Sequence, residues 1–95
     1  MNSIVEGRIK THLQMKYHYS PLEAVTVVDH LRELALVAGF ELDERFGEAG
    51  LGAGPEARVA SRLVEQALGT GGSETSEWEV TQEIGRWLRS RPLRA

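Results

Sequence analysis

Ninety-five residues, 41% hydrophobic and 26% charged, make one globular domain with a real but thin core and exclude a disordered chain. The absence of cysteine excludes disulfides and cysteine-ligated zinc, and fits a reducing, cytoplasmic setting. Net charge is −3 but unevenly spread: residues 1–20 carry +2, residues 21–84 carry −9 and residues 85–95 carry +4, which argues against a basic, nucleic-acid-binding body.

At the N-terminus, Glu6, Arg8, Lys10 and His12 interrupt any apolar region of a secretory signal, and no stretch approaches the 18 apolar residues of a membrane span. A first helix is expected over about residues 3–16. Val5, Ile9, Leu13 and Tyr17 recur every four positions, with Ile4 and Met15 to one side. Asn2 or Ser3 supplies its cap, and Gly7 weakens its interior. Tyr17-His18-Tyr19 then leaves a short turn, which sets the next helix antiparallel or sharply angled.

The second helix, residues 21–38, is announced at both ends. Ser20 caps it, Pro21 suits the first helical position, and Glu23 reaches back to the cap. Gly39 closes it in the left-handed conformation, with Phe40 behind. Between these signals, Ala24, Val27, Val28, Leu31, Leu34, Ala35 and Ala38 fill one face, while Leu22, Val25, Leu36 and Val37 fall elsewhere. A helix apolar over most of its circumference is normally surrounded. This one is expected at the centre of the domain or against a partner.

Residues 39–54 form a glycine-rich connection, with Leu42, Phe46 and Leu51 as anchors and one helical turn near 43–47. Its end leads into a helix N-terminus as phosphate loops do. Yet no strand precedes it, no Lys-Ser/Thr follows it, and Glu48 and Glu56 repel phosphate, so a linker is expected. A third helix follows over 55–68, burying Ala57, Val59, Ala60, Leu63, Val64, Ala67 and Leu68 and wetting Arg58, Arg62 and Glu65. After a break at Thr70–Ser73, a fourth helix covers about 77–89. Ser76 and Glu79 stand at capping-box spacing, and Val80, Ile84, Trp87 and Leu88 form its core face. Arg91-Pro92 stops it, and residues 90–95 make a short basic tail. No stretch alternates with the period of a strand.

The expected fold is therefore all-α: a single domain, 1–95, with four helices in a compact array or bundle around the second. No chemical signature accompanies it. His12, His18 and His30 are spaced 6 and 12 apart, which makes no helical metal pair, and Asp43-Glu44 lies in a loop. Neither a cofactor, a metal nor an enzymatic role is expected. The leading expectation is a non-catalytic protein–protein interaction module, a small adaptor, regulatory or inhibitory protein, self-associating as a homodimer. The arginine-, glycine- and alanine-rich composition suggests a bacterial or phage origin. The candidate partner-binding residues are Leu22, Val25, Asp29, Arg32 and Leu36 on the second helix, with Trp78, Arg86 and Arg89 on the fourth. Trp78 stands nine positions from the core residue Trp87, on the opposite side of a helix. His30, flanked by Thr26 and Glu33, is a further interface candidate. The alternative is a small nucleic-acid-associated regulator that grips phosphates through the segment Arg86–Arg94. The turn Tyr17–Ser20 resembles a helix-turn-helix linker, but the helix after it is too apolar for a major groove.

Overall fold

A computed structural model of the chain describes residues 3–37, 39, 55–69 and 77–90. They form four helices and no strand: α1 (Ser3–Lys16), α2 (Pro21–Val37), α3 (Pro55–Leu68) and α4 (Glu77–Ser90). Ser90, expected to open the tail, still belongs to α4, and its hydroxyl donates to the Trp87 carbonyl at 2.9 Å. Asn2, Ala38, the connection beyond Gly39, the break at 70–73, Ser76 and the tail from Arg91 onward lie outside the described residues.

The helix ends follow from local chemistry. The Ser20 N–H donates to Glu23 Oε1 at 3.0 Å, and the Glu23 N–H donates to Ser20 Oγ at 3.2 Å, a reciprocal capping box. At the other end Gly39 takes φ 82°, and its N–H donates to the Leu36 carbonyl at 3.0 Å. The turn from α1 to α2 pivots on His18, at φ 59°. There the Leu13 carbonyl accepts from both the Tyr17 and the Tyr19 N–H, at 3.2 Å each. Gly7 has no such conformational task. It is helical, and a Cβ there would meet nothing within 4 Å. Gly7→Ala is expected to stabilise the domain by about 0.5–1 kcal/mol, read as a higher urea midpoint at unchanged slope.

The four helices close a ring. α1 packs against α2 and α3, and α4 packs against the same two, which places α2 and α3 at opposite corners. The core joins Val5, Ile9 and Leu13 of α1, Ala24, Val27, Val28, Leu31 and Ala35 of α2, Val59, Ala60, Leu63 and Val64 of α3, and Val80, Ile84 and Trp87 of α4. Tyr17, Leu34, Ala67, Leu68 and Leu88, all expected inside, are half-buried against it. The ring corrects the expectation of a central second helix: α2 stands at one corner with two principal neighbours, as each of the other helices does, and keeps one long face open.

Polar side chains tie several of these seams. Between α1 and α3, the His12 ring and the Tyr17 hydroxyl converge on Gln66 Oε1, at 2.8 and 3.1 Å. Burial pushes the Tyr17 phenol above its ordinary pKa. Between α3 and α4, Arg58 donates to Glu79 at 2.5 Å, while Arg62 and Glu65, expected on a wet face, are half-buried. Lys16 meets Glu77 at 2.7 Å, joining the end of α1 to the start of α4. The hydrogen bond and charge of that contact raise the lysine pKa and lower the carboxylate's, but the pair lies in water and contributes little to stability.

Candidate interaction surface

α2 projects side chains every 100°, so Leu22, Val25, Asp29, Arg32 and Leu36, spaced three, four, three and four apart, share a stripe about 80° wide. This stripe lies away from the core face of Ala24, Val27, Val28, Leu31 and Ala35. Leu22 and Val25 are 40% and 41% exposed, and Leu36 is 75% exposed. Val37 beside it is more open still. The five residues expected on this patch therefore share one stripe of α2, open at Leu22, Val25 and Leu36 and bordering α1 at Arg32.

The charged centre of the stripe has a second attachment. Arg32 forks onto Glu6 of α1, with Nη2 at 2.5 Å from Oε1 and Nε at 3.4 Å from Oε2. Its Nη1 donates to Asp29 Oδ1 at 3.0 Å. The Glu6 hydrogen bond is the main reason that the guanidinium pKa lies above its ordinary value. Glu6 is only 6% exposed, whereas Arg32 stays open enough to reach a second carboxylate. Burial of Glu6 was not anticipated. An acid one place after Val5, at the border of the apolar stripe, was the available signal.

A separate surface forms on the outside of α4. Trp78 is 72% exposed, opposite the buried Trp87, as their spacing required. Arg89 lies on the same outer face, and its guanidinium folds back over Gly85, where an added Cβ would sit 3.2 Å from Nη1. Arg86 pairs with Glu83 at 3.2 Å. Glu83 is buried and was not singled out by the apolar periodicity. Trp78, Arg86 and Arg89 thus share α4 but do not belong to the α2 stripe, and Arg86 is engaged by its own helix.

His30 turns inward. Its ring lies 4.6 Å from the Trp87 ring, with 36° between planes, and its Nε2 is 3.4 Å from Glu56 Oε2. Thr26 is also buried, its hydroxyl donating to the Leu22 carbonyl at 2.8 Å. Of the flank read from the helical wheel as an interface candidate, His30 and Thr26 thus face a seam of the domain, whereas Glu33 stays exposed. A shallow groove of about 750 Å³ runs along α1 and is lined in part by Ile4, Arg8, Met15, Lys16 and Ala67. Thr11 and His12 also line it, and the His12 ring is engaged by Gln66 Oε1 at 2.8 Å. Among the described residues no group of three or more His, Cys, Asp and Glu is placed to hold a metal ion, and no helix is long and apolar enough to cross a membrane.

Comparison with known proteins yields no match: no family model, no curated protein and no solved structure is significantly similar to this chain.

Proposed function

We propose that the chain is a non-catalytic protein-interaction module whose docking surface is the open face of α2. The observation that carries this reading is the exposed stripe Leu22–Val25–Leu36, split by Asp29 and Arg32, on a helix whose other face is in the core. Exposed apolar side chains are unremarkable singly, but apolar positions on one helix stripe, set on both sides of a charged pair, are the pattern of an interface. The charges set orientation, and the apolar positions supply the buried area. A small adaptor, regulatory or inhibitory role in the cytoplasm of a bacterium or a phage-infected cell fits this design. Self-association through the face is its simplest use.

The test compares the full chain with Leu36→Glu, by light scattering and by capture of partners from the native host. Leu36 is exposed, so the substitution is expected to leave the thermal unfolding midpoint nearly unchanged. Association, with itself or with another protein, is expected to fall at least roughly tenfold, since one interface anchor is replaced by a desolvated charge. A wild-type chain that scatters as a 10.5 kDa monomer and captures nothing overturns the reading. So does a wild-type association that Leu36→Glu leaves intact.

A further inference from the structure

The stripe on α2 has a symmetry of its own. Leu22, Val25, Asp29, Arg32, Leu36 and Gly39 follow one another at steps of 3, 4, 3, 4 and 3 residues, the seam that two helices use when they pack at a shallow angle of about 20°. The order of chemical types along it is apolar, apolar, acid, base, apolar, then the bare backbone of Gly39. A point midway between His30 and Leu31 relates Asp29 to Arg32, Val25 to Leu36 and Leu22 to Gly39.

We infer that this face binds a second copy of the chain, with the two α2 helices antiparallel and the two-fold axis passing between residues 30 and 31. This deepens the proposed function and rests on it. In that register Val25 of each protomer meets Leu36 of its partner, and Asp29 meets Arg32 of its partner, each contact occurring twice. Every interface residue finds a complementary group, which is the condition for an isologous contact. Leu22 falls over Gly39, which carries no side chain of its own, and a Cβ added there would meet nothing within 4 Å beyond its chain neighbours.

The charges also reject the alternative. In a parallel pair, Asp29 faces Asp29 and Arg32 faces Arg32 of the second copy, a double repulsion at the centre of the seam. An antiparallel pair slipped by one seam position brings Leu36 or Val25 against a charge. The intramolecular contact of Arg32 Nη1 with Asp29 Oδ1 does not compete with the dimer. Asp29 has a second oxygen, so the two acids and two bases join in one alternating ring. The Glu6 fork holds the Arg32 stem in place, so less freedom is lost when the partner arrives. A single helix pair covers less than the ~800 Å² per partner of a standard interface, so the dimer forms and dissociates with chain concentration.

The chain has no cysteine, which makes the register directly testable by disulfide trapping in the full-length protein. Val25→Cys and Leu36→Cys both fall at exposed positions. An equimolar mixture of the two variants, oxidised at high concentration, is expected to give a disulfide-linked heterodimer. Each variant alone is expected to stay largely uncrosslinked. Its two thiols lie about 16 Å apart along the axis in this register, beyond the ~7 Å Cα separation that a disulfide spans. In parallel, Asp29→Arg is expected to weaken self-association about tenfold, with helix content unchanged by circular dichroism. Efficient crosslinking of Val25→Cys with itself would overturn the antiparallel register. A monomeric wild-type chain at high concentration, with no trapped dimer from the mixture, removes self-pairing altogether. If that monomer still captures another protein and Leu36→Glu abolishes the capture, the interaction reading stands and only the second copy is excluded. If it captures nothing, both fall.

Discussion

Trp87→Ala is expected to cost the fold about 4 kcal/mol, a large share of the stability of a domain of this size. The indole is 2% exposed and lies in the core with Val80 and Ile84 of its own helix. Its ring also rests against His30 at 4.6 Å, so it joins α4 to α2 along a seam that relies on few other contacts. Truncation leaves a cavity that helices tied by the α2 capping box and by the Lys16–Glu77 and Arg58–Glu79 pairs do not readily collapse into. Trp87→Phe separates size from polarity. The indole N–H is buried with no hydrogen-bond partner among the described residues, so removing it takes away a desolvated donor as well as some volume. The phenylalanine variant is expected to stay within about 1 kcal/mol of the parent. Urea unfolding followed by circular dichroism measures both. A loss under about 1 kcal/mol for Trp87→Ala means that the indole is not a core member, and the assignment of α4's inner face is then wrong.

The parts of this fold that were legible beforehand are those written in neighbouring residues. The limits of α2 came from Ser20, Pro21, Glu23 and Gly39, and both the capping box and the left-handed glycine are present. The apolar periodicity found the inner faces of all four helices because a 3.6-residue repeat reports burial without reference to any other element. It also exposed a surplus on α2, and the open positions of Leu22, Val25 and Leu36 are that surplus in three dimensions. What a local pattern does not carry depends on residues far apart in the chain. Glu6 is buried because Arg32, 26 residues later, reaches it, and no local pattern shows that pairing. His30 was placed correctly on the flank of α2, but a wheel does not say which neighbour covers a flank. Here the cover is Trp87 from the last helix, with Glu56 alongside. Glu83 is masked in the same way, because its burial comes from where α4 settles in the ring. Periodicity thus tells how much of each helix is covered, and topology alone tells by what.

Arg32 is where the two levels meet, and its substitution separates them. Arg32→Met removes both prongs of the fork from a carboxylate that is 6% exposed, leaving Glu6 charged and poorly hydrated between α1 and α2. Breaking a fully buried pair in this way costs about 3–5 kcal/mol. Arg32 itself is 43% exposed, so water screens part of the interaction, and about 2 kcal/mol is the expected loss. Replacing the acid as well is expected to return most of it, since Glu6→Leu with Arg32→Met puts two apolar side chains on the edge of an apolar seam. A double-mutant cycle in urea should then show a coupling of about 1–2 kcal/mol between the two positions, and additive losses would mean that the fork does not stabilise the α1–α2 contact. The double variant has a second use. Its fold is restored, but the base that faces Asp29 of a second copy is gone. If the α2 seam is a self-pairing surface, this variant recovers its urea midpoint and still self-associates more weakly than the parent. Recovery of stability and association together would place the role of Arg32 wholly inside the monomer, because only an intermolecular contact leaves association impaired after the fold is repaired.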